Sequence, residues 1–183
     1  MNTIVKFIKR FENNNFLLRD NHLTYYLGDS NVAEIPVGVQ TVGPLAFVGD
    51  INLKTVYIPS SVREIDNFGF AYCESIENFI VSPENQYFSS LNGVLFSKDG
   101  KKLVKYPMGK RGKAYSIPSG VCDICEYAFE KNKNLTEIKF PYTMEDVRYL
   151  AFVDASDLRK IYAPFGLDLI FIHYSHFCEV IRI

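Results

Sequence analysis

The chain keeps restating one phrase. Starting at Ile58-Pro59, apolar residues fall at Val62, Ile65, Phe70, Ile76 and Phe79. Twenty-three residues earlier the same offsets hold Ile35-Pro36, Val39, Val42, Phe47, Leu53 and Val56. They recur from Ile117-Pro118 as Val121, Ile124, Phe129, Leu135 and Ile138, and from Phe140-Pro141 as Met144, Val147, Phe152, Leu158 and Ile161. An incomplete copy opens at Ala163-Pro164 with Leu167 and Ile170. A fixed period of about 20–50 residues marks a solenoid, because one short unit cannot bury its own apolar edge and must stack on a copy of itself.

Each column has a mechanical role. Proline lacks an amide donor and fixes φ, so the Ile/Phe-Pro pair ends a strand and opens a turn. Two residues on, the turn column reads Gly38, Ser61, Gly120, Thr143 and Gly166, mostly residues that tolerate tight bends. The apolar pairs spaced by three (Val39/Val42, Val62/Ile65, Val121/Ile124) suit neither strict strand alternation nor a long helix. They predict a short extended or turn-like segment on a second side of the coil. Phe47, Phe70, Phe129 and Phe152, each after a small residue, form the expected internal spine.

The pattern IPxxVxxIxxxAF followed by LxxIxIP resembles the BspA-type leucine-rich repeat over about residues 32–170, with one interruption. The resemblance implies a mostly β solenoid. Its parallel sheet on one face would be built from Leu53–Ile58, Ile76–Val81, Leu135–Phe140 and Leu158–Ala163, with short turns or helical segments on the other. It also implies roles in adhesion or protein–protein contact, mostly among exported members.

A chain of 183 residues, 48% hydrophobic, has single-domain size and enough apolar material to fill that core. The expected partition is a cap over 1–31, repeats over 32–80, a β-hairpin insert over 81–116, repeats over 117–170 and a C-terminal cap over 171–183. In the first stretch Ile4, Phe7, Ile8 and Phe11 share one face at helical spacing, which reads as a cap over the first coil or a partner or membrane-surface helix. No uninterrupted apolar run or small-residue cleavage site marks a secretory signal, so the sequence as written reads as cytoplasmic, or as a surface protein if its start is processed. No segment approaches the roughly 18 apolar residues of a membrane span. Phe16–Tyr26 reads as two short strands around Asp20-Asn21, with His22 a solvated turn residue.

The interval from Ile58 to Ile117 is 59 residues rather than 23. Within the added segment, Val94–Phe96 and Leu103–Tyr106 flank Lys98-Asp99-Gly100-Lys101, a hairpin with an Asp-Gly turn. Its NxxYxSxxGVLF…YP pattern also resembles segments that separate repeat blocks in the same family. At the other end, FIHYSHFCEVIRI departs from the pattern, with Ser175 where a spine phenylalanine is due. This end either folds back as a cap or pairs with another chain, giving a homodimer.

Candidate chemistry is sparse. Cys122-Asp123-Ile124-Cys125 is a CxxC, but its cysteines fall in variable polar columns (Gln40, Arg63, Glu145 and Gly43, Asp66, Arg148) with no second CxxC, which points to two free thiols near the surface. Cys73 sits in a column of small turn residues, a structural position that the resemblance implies is buried. His173, His176 and Cys178 could supply three zinc ligands but lack a fourth, and their aromatic setting suits a cap better. Gly109-Lys110-Arg111-Gly112-Lys113 lacks the spacing of a phosphate loop, and no GxSxG or HExxH is present. No cofactor or metal is expected, and the chain reads as non-enzymatic.

Two surfaces remain for a partner. If Leu53, Val56 and Ile58 point inward, alternation turns Tyr57 outward, and with it Ile80, Lys139 and Tyr162 in one stacked line. The second is the run from Lys98 to Lys113, whose Lys110, Arg111 and Lys113 could receive an acidic partner, an anionic glycan or a nucleic-acid backbone, and which otherwise reads as a solvated hairpin and loop. A net charge of −1 makes nucleic acid an unlikely partner. The expected function is therefore a non-catalytic protein-binding scaffold, with a carbohydrate- or surface-polymer-binding adhesion module as the alternative.

Overall fold

In the computed structural model, which describes residues 8–10, 15–169 and 178–183, the repeated phrase becomes a coil with a short strand on each of two sides. The chain opens with three antiparallel strands, β1 (Ile8–Arg10), β2 (Phe16–Arg19) and β3 (His22–Tyr26). Coils follow through β4 (Val32–Glu34), β5 (Thr41–Val42), β6 (Thr55–Ile58), β7 (Glu64–Ile65) and β8 (Asn78–Val81). A second antiparallel trio comprises β9 (Phe88–Leu91), β10 (Val94–Ser97) and β11 (Lys102–Lys105). Further coils carry β12 (Ala114–Ser116), β13 (Asp123–Ile124), β14 (Glu137–Lys139), β15 (Asp146–Val147), β16 (Lys160–Ala163) and, near the end, β17 (Glu179–Arg182).

The sheets show the same plan drawn twice. One side holds β1-β2-β3-β5-β7 and, matching it strand for strand, β9-β10-β11-β13-β15. The other side holds β4-β6-β8 and β12-β14-β16-β17, all parallel. Both antiparallel hairpins carry a register irregularity at the same place, between Leu17 and Leu18 and between Leu95 and Phe96. In both, the third strand then runs parallel to the first short strand of the coils, Leu23 opposite Val42 and Leu103 opposite Ile124. The molecule is thus two blocks, each a three-stranded meander that starts a stack. The segment interrupting the repeats supplies the start of the second stack, since Lys101 and Lys113 carbonyls accept amides from the following coil as Asn21 and Asn31 carbonyls do in the first.

Stacking follows from the columns. Phe47 and Phe70 lie 5.0 Å apart and Phe129 and Phe152 4.8 Å apart, all almost fully buried. A tyrosine from each meander extends its stack, Tyr26 on Phe47 at 5.2 Å and Tyr106 on Phe129 at 5.1 Å. In the turn column, the amides of Gly38 and Gly120 donate to the hydroxyls of Ser61 and Thr143 one coil later, at 3.0 and 3.2 Å. Gly38 and Gly120 have φ of 101° and 99°, a left-handed region where a side chain would be strained.

Two expectations are corrected. No helix occurs among the described residues: the far side of each coil is made of turns and two-residue parallel strands. Ile8–Arg10, expected at helical spacing, is a strand paired with β2, because an open sheet edge offers its amides ready partners. Ile4, Phe7 and Phe11 lie outside the described residues.

The blocks meet through the second meander. Leu95 belongs to the first block's core, with Val104 packed against it, while Val94, Phe96 and Leu103 belong to the second. Gly109 donates its amide to the Ile76 carbonyl at 2.7 Å, and a Cβ there would sit 2.7 Å from the Ser75 backbone, so this crossing requires glycine. The coil through Tyr106 is short, and corners 59 residues apart close over it. Phe68 meets Tyr127 at 4.2 Å, Lys131 lies over the Tyr72 ring at 4.2 Å, and Lys133 pairs with Glu74 at 3.0 Å.

Candidate binding surface

Strand alternation places the expected outward residues where a partner could reach them. Val56 and Ile58 are buried while Tyr57 between them is 41% exposed, and Ile80 beside it is 40% exposed. Tyr57 and Ile80 are direct register neighbours, as are Lys139 and Tyr162. The four do not make one line, however: the first pair lies in the three-stranded sheet and the second in the four-stranded one. Between them, the Phe79 amide donates to the Gly93 carbonyl and the Val81 amide to the Ser90 hydroxyl, so the hairpin of the second meander separates the two faces. Lys139 and Tyr162 instead line a shallow groove of about 280 Å³ beside β12, with Glu137 in its wall.

The basic run disperses. Lys105 is buried, donating to the Tyr127 carbonyl at 2.8 Å and pairing with Glu130 at 3.3 Å. Burial pulls the Lys105 ammonium pKa down, opposed by the Glu130 carboxylate. The reading of this run as a solvated hairpin and loop fails at Lys105, because Leu95 and Val104 pack the hairpin against the first block. Lys98 donates to the Pro83 carbonyl, Lys102 reaches Asp123 at 3.6 Å, and Lys110 donates to the Asn92 carbonyl at 2.6 Å. Arg111 and Lys113 are left exposed on the loop before β12.

Sequence reasoning passed over two charged groups. Glu130 falls in a column otherwise filled by Val48, Ala71 and Val153, and a carboxylate in an apolar column was the available signal. Asp123 is buried, gripped by both Nε and Nη2 of Arg148 at 3.2 and 3.1 Å. Nothing in its column, Thr41, Glu64 and Asp146, marks it out. The cysteines are free among the described residues, and Cys122 and Cys125 are half-buried rather than at the surface. Burial pushes the Cys125 thiol up to about 11 and Cys73 up to about 12, opposite to what a reactive thiolate needs. The Cys73 thiol donates to the Phe47 carbonyl one coil back. His173 and His176 lie outside the described residues; His22 is exposed at its turn. Among the described residues no group of three or more His, Cys, Asp or Glu is placed to hold a metal, and no helix is long and apolar enough to cross a membrane.

The family model for the BspA type leucine-rich repeat region matches residues 24–101 and 109–181 with six copies. The chain belongs to the BspA-type leucine-rich repeat family. The gap between the two matched stretches, residues 102–108, falls on β11 and the short coil after it. Among solved structures, this BspA-type chain is similar to a leucine-rich repeat protein from Eubacterium ventriosum (25% identity, 81% of this chain and 37% of that one, TM-score 0.64). It is similar to the pneumococcal vaccine antigen PcpA (27% identity, 75% and 40% coverage, TM-score 0.65). A leucine rich cell surface protein from Faecalibacterium prausnitzii shares the fold at 18% identity, over 82% and 59% of the two chains, TM-score 0.55. The chain therefore spans about two fifths of the first two structures' length. The comparison with curated proteins yields no match.

Proposed function

We propose that this repeat scaffold is a non-catalytic protein-binding module. The observation that carries the reading is the pairing of outward residues on the parallel sheets, Tyr57 beside Ile80 and Lys139 beside Tyr162, against a core already satisfied from within. An exposed ring next to an aliphatic side chain on a rigid strand offers contact area at little cost in conformational entropy, which is what interface anchors require. Membership of a family of repeat scaffolds supports the same reading. The residues before the first repeats and after the last serve as caps in this proposal, and the basic loop Lys110, Arg111 and Lys113 is the second contact surface.

The test is affinity capture on the immobilised chain, run beside a glycan array. A protein captured by the parent chain and lost with Tyr57→Ala/Tyr162→Ala, or with Lys110, Arg111 and Lys113 neutralised, supports the reading. Glycan binding without protein capture, or capture indifferent to both variants, overturns it.

A further inference from the structure

We propose that two copies of this chain pair, related by a two-fold axis, along the ridge of corner residues Leu45, Phe68, Tyr127 and Leu150. This goes beyond the protein-binding reading and uses a different surface from the parallel sheets. The four residues hold one column of the coil, immediately before Ala46, Gly69, Ala128 and Ala151. The column crosses the junction between the blocks unbroken. The Leu45 amide donates to the Phe68 carbonyl at 3.3 Å, and the rings of Phe68 and Tyr127, from coils on either side of the second meander, lie 4.2 Å apart. The outward line on the parallel sheets, by contrast, is split by the hairpin of that meander.

Neither the core nor the turn explains these side chains. Leu45, Phe68 and, four residues on, Tyr72 are exposed, and Tyr127 and Leu150 are half-buried. Leu45, Tyr72, Tyr127 and Leu150 stand at φ of 62°, 60°, 59° and 61°, the left-handed region where bulky residues are uncommon. Gly49, one coil before Tyr72 in the same column, makes its turn at φ of 70° with no side chain. Glycine thus satisfies this turn, whereas leucine and tyrosine strain the backbone and leave apolar surface in water. Strain kept at solvent-facing positions points to a contact outside the chain.

The flanks of the ridge are complementary to their own reversal. After Phe68 come Tyr72 and Glu74; after Tyr127, at the same offsets, come Lys131 and Lys133. Within the chain Lys131 lies 4.2 Å from the Tyr72 ring centre and Lys133 lies 3.0 Å from Glu74. A two-fold axis across the ridge, between Phe68 and Tyr127, lays two ridges antiparallel and exchanges these coils. Phe68 of each copy then meets Tyr127 of the other, Tyr72 meets Lys131, and Leu45 meets Leu150. The two Glu74–Lys133 pairs lie head to tail as a square of alternating charge. A two-fold contact requires such self-complementarity, because each residue must suit its counterpart's neighbour in both directions. Three coil intervals of about 4.8 Å give a ridge about 15 Å long, which places the contact among small, weak interfaces.

The experiment is sedimentation velocity of the full chain at low salt, over a concentration series reaching hundreds of micromolar. The expected result is a reversible monomer–dimer equilibrium, weakened at least tenfold by Glu74→Lys and by Lys133→Glu, each of which sets like charges face to face. Mixing the two variants should restore dimers at least as strong as the parent's, since each supplies the charge the other lacks. Fluorescence detection of one labelled variant shows that the recovered dimer contains both. Tyr142→Ser, at an exposed ring away from the ridge, should leave the equilibrium unchanged. A parent chain that stays monomeric overturns the proposal. So does a dimer indifferent to both charge variants, as pairing through the C-terminal end would give, or a mixture that fails to recover. Recovery in the mixture also excludes misfolding of either variant as the cause of its loss. The capture experiment on Tyr57 and Tyr162 judges the protein-binding reading separately.

Discussion

Tyr25 and Lys105 stand at the same place in the two hairpins, opposite Leu17 and Leu95 beside the register irregularity, and they meet opposite surroundings. Tyr25 is 40% exposed at the start of the first block. Lys105 is 4% exposed, because in the second block that face of the meander is covered by the end of the first. Its ammonium has been given a carboxylate, Glu130, where the first block has Val48. The same plan thus carries an exposed aromatic position at the start of the first block and an ion pair at the junction between the blocks. A buried pair is weak evidence for net stability, since desolvating both charges offsets most of their attraction. Its geometric demand is strict, however, and it ties a residue of the meander to the corner of the next coil.

The largest effect should come from breaking that pair. Glu130→Val, which restores the first block's residue, leaves an uncompensated ammonium and should cost about 3–5 kcal/mol in denaturant unfolding. Lys105→Met/Glu130→Val should recover most of the loss or exceed the parent. If the single change is nearly neutral, the pair is not sealed between the blocks as described. A smaller loss, about 1–3 kcal/mol, is expected for Gly109→Ala, because its methyl must displace Ser75 backbone rather than a flexible side chain. Gly49→Ala in the first block meets open space but has φ of 70°, so its cost, about 1–2 kcal/mol, should come from backbone strain alone.

The smallest effect is chemical. Cys73 and Cys125 should alkylate with iodoacetamide more slowly than free cysteine at pH 8.5 and reach full rate only on unfolding, as peptide mass spectrometry would show. Their raised folded pKa means that the unfolded chain loses these protons first. Stability should therefore fall as pH rises above about 8.5, the free thiol value, towards 11. Rapid labelling of Cys125 in the folded chain would contradict its burial by the coil stack.

Breaking the same columns in both blocks would sharpen the comparison further. Asn132 holds the amides of Asn134 and Leu135 with its carbonyl oxygen and donates to the carbonyls of Pro107 and Met108. Asp50, one block earlier, holds the amides of Asn52 and Leu53 in the same way, but among the described residues no hydrogen bond joins it to the meander. The column is the same, and only at the junction does the side chain also secure the adjoining meander.

What the repeats themselves determined was the coil. Proline, the paired Val/Ile and the spine phenylalanines act within one turn of chain and on the identical turn beside it, so a periodic sequence states both halves of each contact at once. The outward direction of Tyr57, Ile80, Lys139 and Tyr162 followed from the same alternation. The doubling of the plan, the split of the outward line into two faces and the burial of Lys105 were settled only in three dimensions. Each depends on where a meander of different period comes to lie, and on partners 25 or 59 residues apart that no repeating offset announces.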